Sequence, residues 1–404
     1  MGKYFFKYKV KILKNMKNKK TLIRSFSLLL LLVFVSGCTL IPTSSSGNKK
    51  AAPVAVYKGG IFRTGEFSVQ ANTLNWQKVS DVYSTGGKVR TLDTAAIVSY
   101  ALDPNDPAAL YIGSQNEGMY YTYNYGQAWL QTLTDKGSVN AIAVSPDPNA
   151  NKCTIYAATN NYIHMSKDCG RTWVPVYFEA RPKIIVTALG IRKDNPKIIY
   201  GGTSEGNLIR SFDGGVTWDS IHRFNNRIVD IIIQNHVDSK IIYVVTQTAG
   251  IFRSPDGGED PSRWEDLMGV LVDQSEVPDD NQYKEFGKVS GSKTYLAISA
   301  DKSVGDGLIY TNSVGIYRLK YGDMWRQLKL IPPKKKETIT AVGVNPDNTN
   351  EVLYASTGAF YRTFDAGENW NITPLPNSGQ PTWTVFSDDS KFFYLANYYV
   401  VPKK

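Results

Sequence analysis

Helical periodicity is missing from residue 54 onward: no long stretch repeats its apolar residues at three- and four-residue spacing. Without helices, no glycine-rich loop can present a helix N-terminus to a phosphate. Histidine is scarce, and His164, His222 and His236 share no metal-ligand spacing, so these residues call for no metal and no cofactor. Only three cysteines occur, Cys38, Cys153 and Cys169. The longest apolar run, Leu28 to Val35, is too short to span a bilayer comfortably. Acidic residues are absent from positions 1–24, which carry nine of the 46 basic residues. An Arg-Ile-Pro triplet is also absent. The one Gly-x-Ser-x-Gly match, Gly202-Thr203-Ser204-Glu205-Gly206, falls between two strand-like segments and not at a strand-to-helix elbow, so it reads as a coincidence.

What is present is a repeat. Ser211-Phe212-Asp213-Gly214-Gly215-Val216-Thr217-Trp218 returns as Ser166 to Trp173 around Asp168, as Thr363 to Trp370 around Asp365, and in stretched form from Ser254 through Asp256 to Trp264. A further copy, Thr122 to Trp129, has Asn124 in the aspartate position. The hydroxyl and carboxylate suit hydrogen bonds to nearby amides, the glycine supplies a positive φ, and the tryptophan is free to bury its ring on the neighbouring repeat. These residues are expected to build a fold and to do no chemistry.

Trp76, Trp129, Trp173, Trp218, Trp264, Trp325 and Trp370 lie 44 to 61 residues apart. Each unit also holds an apolar strand such as Val186–Asp194, an aliphatic-Tyr strand such as Ile198–Gly201, and a Gly-aliphatic-aromatic-Arg strand such as Gly250–Arg253. Four short strands per unit read as an all-β, seven-bladed β-propeller of four-stranded antiparallel blades. The half-unit Gly60 to Trp76 and the complementary half Thr382 to Ala396 are expected to share one blade and close the ring. Tyr398 to Val401 competes with Gly60 to Arg63 for the third-strand place.

The Ser/Thr-x-Asp-x-Gly-x-Thr-Trp turns resemble the Asp-box, or BNR repeat, over nearly all of residues 54–404. Propellers with this turn include sialidases, xyloglucanase-type glycoside hydrolases, sortilin-type receptors and photosystem II assembly factors. The overall design is most similar to the last group, which implies a non-catalytic ring that holds a membrane-protein intermediate. The start of the chain resembles a bacterial lipoprotein signal peptide, and Val35-Ser36-Gly37-Cys38 matches the lipobox. The resemblance implies cleavage after residue 37, lipidation of Cys38, a tether over 38–53 and an exported, membrane-anchored propeller over 54–404. Removing the leader leaves 37 basic against 36 acidic residues, so the formal +10 is no argument for nucleic acid. In an exported setting, a hairpin around Asn160-Asn161 would bring Cys153 beside Cys169, favouring a disulfide over two free thiols.

Ligand-binding loops are expected on the face opposite the turns. They carry Lys88, Arg90, Arg181, Lys183, His222, Arg223, Arg227 and Lys334-Lys335-Lys336. The competing readings are plain solvation and a basic rim facing an acidic partner or lipid headgroups. The long interval around Val270–Gly291 adds Glu276, Asp279, Asp280 and Glu285, making the rim mixed in sign. Arg63, Arg210, Arg253, Arg318 and Arg362 recur at one repeat position and are expected to make a structural contact, such as one with a Trp face. A glycosidase would need two carboxylates roughly 5–10 Å apart; Asp93, Asp230 and Glu337 lie on non-adjacent blades. The leading expectation is therefore a membrane-anchored binding ring for another membrane or extracytoplasmic protein. The alternative is a cell-surface glycoside hydrolase or glycan-binding propeller.

Overall fold

The computed structural model describes residues 56–57, 59–65, 74–146, 153–235, 237–267, 295–301, 307–312, 315–319, 325–331, 339–356, 358–377, 379–398 and 400–401. Cys38, the 270–291 interval, His236, Lys334, Lys335, Lys336 and Glu337 lie outside these residues. The described chain is all-β, with two 3-10 turns and seven four-stranded antiparallel sheets, a β-propeller architecture. Blade 1 unites the two ends of the chain: Gln380–Phe386 and Phe392–Tyr398 are joined by Gly60–Gly65 and Gln77–Lys78. Blade 2 runs from Ile97–Asp103 to Leu130–Thr132, blade 3 from Val139–Val144 to Val174–Phe178, and blade 4 from Val186–Ile191 to Asp219–Arg223. Blade 5 runs from Ile228–Ile233 to Glu265–Asp266, blade 6 from Tyr295–Asp301 to Trp325–Gln327, and blade 7 from Ile339–Val344 to Asn371–Thr373. Gly60–Gly65 takes the contested third-strand place, and Val400–Val401 instead pairs with Val56–Tyr57.

Each blade's second strand carries a tyrosine at one position: Tyr111, Tyr156, Tyr200, Tyr243, Tyr310, Tyr354 and Tyr394, all buried. The flanking aliphatic residues alternate faces, so one strand supplies packing to the blade on either side. The tryptophan that ends each turn crosses to the preceding blade. Trp129 is fully buried against Ile61, Val79 and Tyr394 of blade 1. Its indole N–H donates to the Val79 carbonyl at 2.7 Å, and that of Trp218 donates to Val176 of blade 3 at 3.1 Å. An indole needs a partner when buried, so this bond orients the ring as the packing holds it.

The turns repeat one hydrogen-bond pattern. In blade 4 the Ser211 hydroxyl donates to Asp213 at 2.8 Å and accepts from Gly215 N–H at 2.8 Å, while Asp213 accepts from the amides of Val216 and Thr217 at 2.9 Å. Asp168 makes the same set with Ser166, Arg171 and Thr172, and Asp365 accepts from Thr363 and Asn369. Asp256 accepts from Ser254 and Gly258, and Asn124 substitutes its amide oxygen for a carboxylate oxygen, accepting from Thr122 and Ala128. Two successive residues, not one glycine, take the left-handed conformation: Cys169 with Gly170, Gly214 with Gly215, Ala366 with Gly367, and Tyr125 with Gly126. That bend turns the first residue's carbonyl toward the preceding blade, where Tyr156 donates to Gly214, and Arg210 and Tyr200 both donate to Gly257.

Ala366 pays a Cβ clash at φ 58° that glycine avoids. Ala366→Gly is expected to raise stability by up to about 1 kcal/mol in chemical denaturation, the relief slightly exceeding glycine's entropy cost. The hydroxyl and amide donors hold Asp168 and Asp213 at pKa values of about 2, with Thr172 and Thr217 the largest causes. A depressed folded pKa contributes stability that is present above the unfolded value and lost as pH falls through the folded one. The melting temperature is therefore expected to drop between about pH 4 and pH 2, and less steeply in Asp213→Asn, as a pH series of thermal melts would show.

Cys153 and Cys169 form a disulfide with Cα atoms 4.7 Å apart, next to the blade 3 turn. Three of the recurrent arginines lie on phenylalanine faces and not on the expected tryptophan. Arg210 and Arg362 stack on Phe212 and Phe364 of their own blades, and Arg63 on Phe392. Arg63 also donates to the Tyr125 carbonyl of blade 2 at 2.6 Å, and Arg318 to Thr349 of blade 7 at 3.0 Å. The repeated position is a structural strut: Arg63, Arg210 and Arg318 each reach a loop of the next blade, while Arg253 and Arg362 pair with Glu265 and Glu351 of their own blades.

Candidate functional site

Strands alternate in direction, so the Ser/Thr-Asp turns gather at one face and the inter-blade loops at the other. On the loop face, Lys88 and Arg90 sit on a two-stranded hairpin, Asp81–Ser84 with Gly87–Thr91, inserted between blades 1 and 2. Lys88 pairs with Asp81 at 2.7 Å. Arg90 pairs with Glu117 at 3.2 Å and shares the Tyr120 hydroxyl with it. Arg181 grips Glu179 by two bonds of 2.8 Å, and Glu205 lies 3.5 Å from both Arg181 and Arg223. The Arg181 fork holds the Glu179 carboxyl at about 2. The candidate rim is thus a set of ion pairs, its mixed sign coming from Glu117, Glu179 and Glu205. Lys183 is exposed on a left-handed backbone. Arg227 is half-buried directly before the first strand of blade 5, and burial lowers its pKa; it has no ion pair among the described residues.

The channel is lined by the first strands of the blades, and all seven slip register at the same place. Such a bulge re-aims one side chain and frees a carbonyl. Ser99 donates to Val139 at 2.7 Å, Asn140 to Val186 at 3.0 Å and Thr187 to Ile228 at 2.5 Å, stitching blades 2 to 5 in series. The residue after the slip is small in five blades: Ser99, Ala141, Ala188, Ala297 and Ala341. In blade 5 it is Asp230 and in blade 1 Trp383. Trp383 stacks on Tyr100 of blade 2 with ring centroids 5.3 Å apart and planes 18° from parallel. Tyr100 is 42% exposed, but to the channel, where surrounding protein and then Asp230 push its phenol up to about 12. Beside it lies a cavity of about 190 Å³ reaching Thr311 and Thr384.

Asp103, at the turn-face end of its strand, accepts from Asn105 N–H, and Asp93 is bound to Lys78 at 2.6 Å. His164 is buried on Thr159, and His222 packs against Phe224 and Trp264. Among the described residues no three metal-binding side chains come together. Ser204 accepts from the Ile185 amide at 3.1 Å, a hairpin contact and not a nucleophile's setting. The sequence reading overlooked Trp383, whose only signal was its failure to fall on the tryptophan period.

No protein-family model matches the chain, and no curated protein sequence does. Solved structures with the same fold include the GH74 xyloglucanase from Xanthomonas campestris, with a TM-score of 0.57 and 14% identity over 76% of this chain and 51% of that one. This chain therefore spans about half the length of that enzyme. YCF48 from Cyanidioschyzon merolae matches with a TM-score of 0.52 and 16% identity, covering 76% of this chain and 94% of its own. A structure of YCF48 bound to D1 peptide matches at 0.50 and 14%, over 75% and 93%. At such identities the likeness establishes the fold, a β-propeller, and leaves the activity to the site itself.

Proposed function

We propose that this protein is a non-catalytic binding propeller, a closed seven-bladed ring of Asp-box type that holds another protein on its loop face. Its lipidated Cys38 would tether it to the outer side of a membrane, where it assists assembly or stability of a membrane complex. The observation that carries the reading is the loop face. Arg90, Arg181 and Arg223 are held in place by Glu117, Glu179 and Glu205 before any partner arrives. Fixed, mixed-sign groups favour recognition of a polar protein surface because little side-chain entropy is lost on docking. The likeness to YCF48, whose structure includes a bound D1 peptide, supports a propeller of this length acting by peptide or protein contact. Cross-linking and pull-down from detergent-solubilised membranes is expected to recover a membrane protein, with recovery reduced by Glu205→Lys and membrane retention lost in Cys38→Ser. Failure to recover any protein, with sugar released from a glycan panel, would reverse the conclusion.

The second reading is glycan binding or hydrolysis. The Tyr100–Trp383 stack in the channel favours it, since sugar rings dock on flat aromatic faces. Against hydrolysis stands the commitment of Asp93 to Lys78 and of Asp103 to its own turn, where acid–base cleavage uses two carboxyl groups in concert.

A further inference from the structure

Where blade 1 meets blade 2 on the loop face, a cavity of about 280 Å³ opens between Ile61, Leu92, Ala95, Ile97 and Ala396, with Gly60 and Asn397 in its wall. Its walls are largely apolar, and the one buried polar side-chain atom of the lining left without a partner is an acceptor, Asn397 Oδ1. Asn397 is 6% exposed, and its Oδ1 is buried without a hydrogen-bond partner. The amide's direction is set by a chain of bonds. Gly379 N–H donates to Asn377 Oδ1 at 2.8 Å, so that oxygen is an acceptor, and Asn397 must turn its Nδ2 toward it, at 2.6 Å. Asn397 Oδ1 is thereby left on the other side. Behind Gly60 lies Asp93, whose Oδ2 takes Lys78 while Oδ1 is buried and unpaired. A Cβ at position 60 would stand 3.2 Å from that oxygen and 2.8 Å from Ser80 Oγ, so the carboxylate lies close behind the bare glycine. Buried acceptors left unpaired are costly, and a charged donor recovers more than a neutral one.

We propose that this cavity takes the side chain of a lysine from the bound partner, its aliphatic stem against the apolar walls and its ammonium donating to Asn397 Oδ1, with the Asp93 carboxylate behind Gly60 adding negative potential. This rests on the loop-face reading above and names the partner's chemistry: a projecting cation, which the paired rim arginines alone would not select. An ammonium can serve the orphan Asn397 oxygen with a charge-assisted bond, whereas an apolar side chain would strand it.

The test uses the peptide Ac-Gly-Lys-Gly-NH2, with the acetyl-lysine and leucine analogues as controls, titrated into the protein while backbone amide shifts are followed. The lysine peptide is expected to shift Gly60, Gln115 and Asn397, and to bind about tenfold or more tighter than either control. Asn397→Leu should erase that preference. Ala96→Leu, which narrows the cavity and leaves Asn397 intact, should weaken binding of the lysine peptide. Equal binding of the three peptides, shifts confined to other regions, or an undiminished preference in both variants would overturn the proposal. The loop-face reading is separable. Equal partner recovery by wild type and Asn397→Leu would overturn the pocket alone, while a lysine preference without any recovered partner would support the pocket and overturn the wider reading.

Discussion

Trp129→Ala is expected to lower folding stability by about 3–5 kcal/mol, a large part of the roughly 5–15 kcal/mol available to a folded chain. The ring is fully buried, in the core that blades 1 and 2 share with the loop-face hairpin. Removing it opens a void bounded by Ile61, Val79, Val82 and Tyr394, residues held by their own sheets and so unable to collapse into the space. It also leaves the Val79 carbonyl without its indole donor. The backbone of Trp129 pairs with Asp81 and Tyr83, so the same substitution loosens the segment that presents Lys88 and Arg90. Trp129→Phe keeps most of the apolar contact and is expected to cost clearly less. Guanidinium unfolding curves of the two variants check this, and a loss below about 1 kcal/mol for alanine would mean the blade junction is not held by the ring.

Glu351→Leu is expected to cost a comparable amount, about 3–5 kcal/mol, for an electrostatic reason. Arg362 and Glu351 have side chains only 4% and 7% exposed, and Arg362 donates to Glu351 Oε1 at 2.8 Å and 2.5 Å. Burial lowers the pKa of Arg362, and Glu351 opposes that shift. Without the carboxylate, the guanidinium keeps its charge in a site with little water, and Asn345 loses the oxygen to which it donates at 2.7 Å. Pairing Glu351→Leu with Arg362→Met removes both charges and is expected to recover most of the loss, since a buried ion pair contributes little net stability over apolar residues of similar volume. A double-mutant cycle measured by denaturant unfolding gives the coupling directly.

Much of the architecture was legible in the chain because each repeat states its own local geometry. Ser211, Asp213 and Gly215 satisfy one another within five residues, so no distant contact is needed to form the turn. The aliphatic-Tyr segments alternate at the strand period, which made the second strands recognisable. The channel was not legible. A register slip at Val186/Ala188 depends on the facing strand, and nothing in six consecutive residues marks it. Once the slips are aligned, Asp230 and Trp383 stand out as the departures from a small-residue position. The recurrence of the arginines pointed to a structural contact, but the carbonyls that Arg63 and Arg210 meet belong to the next repeat. The candidate rim read as free cations because Glu117, Glu179 and Glu205 are scattered along the chain and meet their arginines only across strands.

Local hydrogen bonding and strand periodicity, which act over a few residues, were enough for the amino-acid order alone to determine the repeat, its turn and the blade as the building unit. The tertiary structure decided what happens where blades touch: which cations are neutralised, which aromatic pair lines the channel, and which buried oxygens stay unpaired between blades 1 and 2. Those outcomes depend on side chains from distant positions sharing one low-dielectric space, where a shift of an ångström decides whether a polar atom is satisfied.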